Sequence, residues 1–364
     1  MSKISPSGSG TMDVDIHALP RHAKTMTDCL HPLLTSMKLF GLYFVRQREA
    51  ADTIPGRKWR RCNAWMIHGM FVVALMWINV VRIFSIFTPE DKFGLALLNK
   101  AISVIWAIQC AILQTAFYAS SHRGSLQDVF MKKKLSDECA VYLSRIAVVY
   151  TAVAWLIIAI GSAFFLYGLF FTVYMDDMLT PLNTHLPIDN PLVPRIFMYL
   201  FSFYLIAAHV FTQAMTFLLA MLHRFQFNRV TNSLGSQIDS QEGQVEDDEF
   251  EALRQEHQKI SMSLGNIDGC LMFSNAAAFC GQLACFIIIL YTIMFFHVVI
   301  SDPMVITTLV FWMILMSLGL VFTAAGGIIV NNSVSLVRLS VLTLITIARS
   351  RAKLIVRPID VSIR

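Results

Sequence analysis

The chain has 364 residues, of which 56% are hydrophobic, with a mean hydropathy of +0.60 and a net charge of +5. Its apolar residues form long continuous runs, unlike the amphipathic spacing of a soluble domain, so the backbone of each run has to bond within itself, as a helix. The alternation of apolar and polar residues typical of a membrane β-barrel is absent from the sequence. The composition therefore predicts an all-α polytopic membrane protein.

The amino-terminal part of the chain precedes these runs. Residues 1–28 are polar and lack the apolar core of a secretory signal peptide, so we predict a disordered cytoplasmic tail. An apolar patch follows, in which Pro32 suits a first helical turn. The apolar residues that recur there at helical spacing are Leu30, Leu33, Leu34, Met37 and Phe40. The patch is too short to cross a membrane, so residues 29–63 are predicted to form an interfacial or re-entrant helix and a basic linker.

Six apolar stretches make up the predicted membrane bundle, residues 64–330. Each can cross a hydrocarbon core about 30 Å thick, which takes about 20 helical residues. The stretches are 64–88, 94–119, 146–174, 196–222, 271–300 and 303–330. The acidic segment 232–250 is predicted to be a flexible inner loop. Residues 331–364 are predicted to be a cytoplasmic segment, because their apolar part contains Arg338 and is too short for a seventh span.

Lysine and arginine positions predict the orientation of the bundle. Ten of these residues precede residue 64, and further groups occur in 120–145 and 223–270. The connector 175–194 has three aspartates and neither lysine nor arginine. Both termini are therefore predicted to be cytoplasmic. The net charge follows from this orientation and from contact with anionic lipid, and we expect no nucleic-acid partner.

The sequence contains no motif of a membrane enzyme. Its histidines form neither paired iron-binding boxes nor an H-E-x-x-H helix. A phosphate-binding G-x-x-x-x-G-K-[ST] loop and a G-x-S-x-G elbow are also absent from it. We therefore predict no enzymatic activity, no catalytic residue, no cofactor and no metal site.

Polar residues within the spans are costly at membrane depth, which makes them candidates for function. Arg82 either extends to the outer membrane surface or has a partner such as Asn79 inside the bundle. In the fourth span, His209, Gln213 and Thr216 share one helix face. They either hydrogen bond to neighbouring helices or line a cavity.

Aromatic residues are concentrated in the predicted outer halves of spans three to six. They form either an interfacial belt with packing contacts, or the walls of an apolar pocket that has a few polar groups. The candidate ligand-binding residues are Tyr167, Phe203, Tyr204, His209, Gln213, Tyr291 and Trp312.

Two short motifs have parallels in a known family. The opening helix reads LLTSMKLFGLYF and contains a Lys-x-x-Gly-Leu pattern, and Leu253, Arg254 and His257 form an L-R-x-x-H pattern before the fifth span. In these motifs and in its predicted topology, the chain resembles the invertebrate gustatory-receptor-like chemoreceptors, which are related to insect odorant receptors.

The resemblance implies a chemosensory subunit of a ligand-gated cation channel in the plasma membrane. Members are generally tetrameric, so we expect a homo- or hetero-oligomer in the lipid bilayer, with a small-molecule ligand in the outer half of the bundle. They also have a seventh, pore-lining span, which this sequence lacks. A truncated isoform, an incomplete gene model or a divergent relative would each have this form.

Other classes of membrane protein remain as alternatives. A non-conducting scaffold or modulatory subunit would also fit a bundle without a pore helix. A G-protein-coupled receptor fits less well, because there is no Asp-Arg-Tyr-like triplet after the third span and both termini are predicted to be inside.

Overall fold

The computed structural model describes residues 25–45, 64–89, 93–131, 137–171, 192–239, 247–296 and 303–356. These residues form nine helices and no strand. The helices are α1 Met26–Cys29, α2 His31–Leu39, α3 Ala64–Phe84, α4 Leu95–Arg123, α5 Ser125–Met131, α6 Asp137–Phe171, α7 Leu192–Asp239, α8 Asp247–Phe295 and α9 Pro303–Val356. Six of them, α3, α4, α6, α7, α8 and α9, are long and apolar enough to cross a membrane, and we call these the spanning helices. The predicted all-α fold, with six helices long and apolar enough to cross a membrane, is confirmed for the described residues.

Several helices extend beyond the predicted spans. Helix α6 begins at Asp137, α7 continues to Asp239, α8 begins at Asp247 and α9 continues to Val356. Hydropathy marks only the apolar part of a helix, whereas its backbone hydrogen bonds continue through polar helix-forming residues. Both ends of the predicted loop 232–250 are therefore helical, and residues 240–246 lie outside the described chain.

Other predicted segments also lie mainly outside the described residues. These are the first 24 residues of the predicted tail, the linker 46–63, the connectors 172–191 and 297–302, and the last eight residues, 357–364. At the end of the predicted tail, α1 begins at Met26. Its first turn is capped reciprocally by Thr25 and Asp28, whose side chains each bond to the other's backbone N–H.

Helix α7 is the centre of the bundle. In its most apolar window, 72% of the residues are buried, against 17–39% in the other five spanning helices. It packs against α4, α6, α8 and α9, and α3 joins the bundle through α4. A helix surrounded by other helices has to be apolar on nearly all sides, which explains its long run of mainly hydrophobic residues.

Helices α7, α8 and α9 continue together past the spans as a small helical extension. Phe227, Val230 and Ile260 are buried there, and Val334 packs against them. The His257 ring lies 5.8 Å from the Phe227 ring, and burial lowers the pKa of His257. The extension gives α8 and α9 one continuous backbone from the cavity described below to the opposite end of the bundle.

Residues 26–45, which we call the re-entrant segment, form a hairpin packed into the bundle. Pro32 lies in the first turn of α2, and Gly41, just after the helix ends at Leu39, has a left-handed φ of 68°. The Gly41 N–H donates to Lys38 O and the Leu42 N–H to Met37 O, the pair of bonds that closes a helix in a Schellman motif. The chain therefore turns back on itself at Phe40–Gly41.

The turn of the re-entrant segment is bonded to the spanning helices. His68 Nε2 donates to Leu39 O over 3.0 Å, and Gln114 Nε2 donates to Phe40 O over 3.0 Å. The Trp155 indole N–H donates to Ser36 Oγ, also over 3.0 Å. Backbone that leaves a helix inside a membrane protein needs such partners, because lipid offers none.

The turn also needs a glycine on the facing helix. A Cβ added to Gly69 of α3 would lie 2.8 Å from Gly41 O and 3.0 Å from the Tyr118 ring. A backbone oxygen cannot move aside as a flexible side chain does, so this approach requires glycine at position 69.

We expect Gly69→Ala to lower the free energy of unfolding by about 1–3 kcal/mol, because it overpacks this contact. Gly265→Ala is the control, since a Cβ at this exposed position of α8 meets nothing within 4 Å and alanine favours a helix by roughly 0.5–1 kcal/mol. Thermal unfolding in detergent measures both variants. Equal stability of the two would contradict the close approach of Gly41 and Gly69.

Candidate ligand-binding site

A cavity of about 180 Å³ lies at one end of the spanning bundle. At this end α3, α6 and α8 finish and α4, α7 and α9 begin, and we call it the connector end. All six spanning helices line the cavity. An apolar cavity of about 150 Å³ can take up a benzene-sized molecule, so this one has room for a compact ligand.

The walls of the cavity are mainly apolar and aromatic. Trp106 of α4 and Trp312 of α9 line it with their ring centroids 5.1 Å apart, edge to face. Phe311 lies 5.5 Å from Trp312 and 5.1 Å from Phe164, which also lines the cavity. This aromatic row joins α4, α9 and α6 and presents flat, rigid surfaces to a ligand.

A few polar groups interrupt the apolar walls. Arg82 Nε and Nη2 donate to Asn79 Oδ1 over 3.2 and 3.1 Å, and both residues line the cavity. The structure thus has the bundle-facing arrangement of Arg82, with Asn79 as its partner. The Trp106 indole nitrogen is buried without a hydrogen-bond partner among the described residues.

Hydroxyl groups add further polar positions. Ser202 Oγ donates to Tyr199 O and Thr308 Oγ1 donates to Met304 O. The hydroxyl hydrogen of each side chain is therefore already bonded within its own helix. Their oxygens can still accept a hydrogen bond from a ligand. Among the described residues, no group of three His, Cys, Asp or Glu side chains could hold a metal ion. The cavity therefore suits a compact, mainly apolar molecule with one or two polar groups.

The residues predicted as ligand-binding fall into separate places. Tyr167 and Trp312 line the cavity. Phe203 and Tyr204 instead contact Phe40 of the re-entrant segment, at ring distances of 5.4 and 5.6 Å. Tyr291 stacks on Phe295 and lies outside the set of residues that line the cavity.

The polar face of α7 bonds to three neighbouring helices. His209 Nδ1 pairs with Gln109 Nε2 of α4 over 3.1 Å. Gln213 Oε1 accepts from Thr323 of α9 over 3.0 Å, and Thr216 Oγ1 donates to Asn275 of α8 over 3.4 Å. The polar face of α7 therefore makes hydrogen bonds between helices, the first of its two predicted roles. Neither His209 nor Gln213 lines the cavity.

Two glutamines pack against glycines about one helical turn below the cavity. A Cβ on Gly281 of α8 would lie 2.4 Å from Gln109 Oε1, and one on Gly319 of α9 would lie 2.5 Å from Gln282 Nε2. Gln282 is fully buried, and neither of its side-chain polar atoms has a partner in the described part of the chain. This layer brings α4, α8 and α9 into close contact beneath the cavity floor.

Sequence reasoning missed all the cavity residues on α4. Trp106, Asn99 and Ser103 all line the cavity, yet no residue of the second span was a candidate. Trp106 could have indicated the cavity from the sequence, because it is the single tryptophan of that span and lies one turn from the polar Gln109.

Comparison with known proteins does not assign a family. No protein-family model matches the chain, and no curated protein sequence matches it. The interpretation of the cavity therefore depends on its own geometry.

We expect Gln282→Met to raise the free energy of unfolding by about 1 kcal/mol or more, because an unsatisfied buried polar group costs about 1–3 kcal/mol. Gln109→Met is the matched comparison. Although Gln109 Oε1 also has no partner among the described residues, its Nε2 bonds to His209, and losing that bond leaves the buried His209 ring nitrogen unsatisfied, so stability should fall by about 1 kcal/mol. Thermal unfolding in detergent distinguishes the two. A loss of stability in both variants would mean that the Gln282 amide is satisfied, for example by a bound water.

Proposed function

We propose that this protein is a small-molecule receptor of the plasma membrane, of the gustatory-receptor-like kind, and that its ligand occupies the connector-end cavity. The observation that carries the proposal is the cavity itself, which is apolar, has a few polar groups and is lined by all six spanning helices. A ligand there lies among all six spanning helices. Its affinity therefore depends on how these helices are arranged, which is the requirement for a ligand to favour one arrangement over another.

The proposed orientation exposes this cavity to ligands from outside the cell. With both termini cytoplasmic, as the lysine and arginine distribution predicts, the connector end faces outwards. A compact apolar ligand then reaches the cavity from the outer solution or from the outer lipid leaflet.

We propose that α8 and α9 transmit the effect of ligand binding to the inner side of the membrane. Ile289 of α8 and Met304 and Trp312 of α9 line the cavity, and both helices continue unbroken into the helical extension. A change in their relative position at the cavity is therefore carried to the opposite end. The further proposal that the protein is an oligomeric cation-channel subunit is supported by the family resemblance of the sequence.

Bulky substitutions on α9 test the binding site. Leu309 lines the cavity, whereas Leu318 of the same helix is exposed on the outside of the bundle. We expect Leu309→Trp to fill the cavity and weaken the binding of small alkylphenols at least tenfold, and Leu318→Trp to leave it unchanged. Ligand-observed NMR on the detergent-solubilised protein measures the affinities. Equal binding by the two variants would place the ligand elsewhere.

Electrical recording tests the channel part of the proposal. In cells that express the chain, alone or with a channel subunit of the same kind, we expect a ligand that binds the purified protein to evoke a cation current. The Leu309→Trp variant should reduce this current while reaching the cell surface normally. Binding without any evoked current would favour a non-conducting subunit.

A further inference from the structure

We propose that Phe40, at the tip of the re-entrant segment, is a positioning residue for the ligand cavity and sets which ligand sizes the cavity accepts. This inference rests on the proposed ligand-binding function of the cavity. It concerns a residue that does not itself line the cavity.

The Phe40 ring is almost completely enclosed by aromatic side chains. It is 2% exposed. Its ring centroid lies 5.4 Å from Phe203, 5.6 Å from Tyr204 and 5.5 Å from Phe211, all on α7. Trp155 of α6 completes the cluster at 5.6 Å. An interior packed this closely transmits a change in volume to its surroundings, because it has no space to absorb it.

The same turns of α7 have the cavity on one side and Phe40 on the other. Phe201, Ser202 and Leu205 line the cavity, whereas the intervening Phe203 and Tyr204 contact Phe40. Residues two positions apart point about 200° apart around a helix. A shift of the Phe40 ring therefore moves the α7 wall of the cavity towards or away from the ligand.

The opposite side of the tip is fixed to α3 and α4. The carbonyl of Phe40 accepts from Gln114 of α4, the carbonyl of Leu39 accepts from His68 of α3, and Gly41 lies directly on Gly69. Helix α4 also supplies Trp106 to the cavity. The tip is thus fixed against α3 and α4 and supports α7 on the side that faces away from the cavity. The volume of the Phe40 ring therefore sets how close the α7 wall lies to Trp106.

A smaller side chain at position 40 should change which ligand sizes the cavity prefers. Replacing Phe40 by leucine removes ring volume, and the α7 wall then relaxes towards the tip and away from Trp106. The cavity should become wider, so that longer ligands gain affinity relative to shorter ones.

The variants Phe40→Leu and Phe44→Leu form a matched pair for the test. Phe44 is also a buried phenylalanine of the re-entrant segment, but its ring contacts Tyr118 of α4 at 5.4 Å. Tyr118 lies about three turns from Trp106 along α4. Both substitutions should lower the thermal unfolding temperature, because both remove buried ring volume.

Dissociation constants for phenol, 4-ethylphenol and 4-butylphenol, measured on the full chain in detergent, provide the readout. We expect Phe40→Leu to shift the ratio of the phenol and 4-butylphenol constants at least fivefold in favour of the longer ligand. Phe44→Leu should leave this ratio within twofold of the wild-type value. The same ratio in both variants would overturn the proposal, because both would then act only by loosening the fold.

A second variant covers the case in which Phe40→Leu does not fold. Phe203→Leu removes ring volume from the same contact, on the α7 side, and should shift the ratio in the same direction. An unchanged ratio in this variant would overturn the proposal. Failure of the underlying function gives a different result. The wild-type chain would then bind none of the three phenols, which would contradict both the proposed binding site and the role of Phe40.

Discussion

The hydrocarbon core of a membrane has no hydrogen-bonding groups, so a polar group in the apolar part of this bundle is costly unless it finds a partner within the chain. The three polar side chains of α7 meet this constraint by bonding to three different helices, through Gln109, Thr323 and Asn275. The non-helical turn of the re-entrant segment meets it through His68 and Gln114. These bonds fix α7 in the centre and hold the re-entrant tip between α4 and α7. The position of the cavity walls follows from both.

The cavity and the polar layer below it have different roles. The cavity is bordered by aromatic rings and hydroxyl oxygens, which suit a compact ligand. One turn below, the glutamine side chains at positions 109 and 282 pack on Gly281 and Gly319 and bring α4, α8 and α9 together. The proposed ligand would therefore lie directly above a place where these helices are in close contact. Under the proposed receptor function, occupancy of the cavity would be converted into a change in helix packing.

Hydropathy was sufficient to predict the six spans, because a membrane-spanning helix needs one long apolar run. The spacing of Leu33, Met37 and Phe40 likewise predicted a helix before the first span, and α2 forms there with these residues buried. The sequence could not distinguish Phe201, which lines the cavity, from Phe203, which contacts Phe40. Apart from the face with His209, Gln213 and Thr216, helix α7 is apolar on all sides, so its pattern does not define which apolar face meets which neighbour.

The central claim is that the connector-end cavity holds the ligand, and photoaffinity labelling tests it most directly. A compact phenyl diazirine, irradiated with the purified full chain, should label cavity residues on α4 and α9 such as Trp106 and Trp312. An excess of an alkylphenol that binds the protein should prevent this labelling. Mass spectrometry of the digested protein identifies the labelled positions. Labelling confined to outward-facing residues such as Ile314 and Leu318, and unaffected by the competitor, would contradict the account.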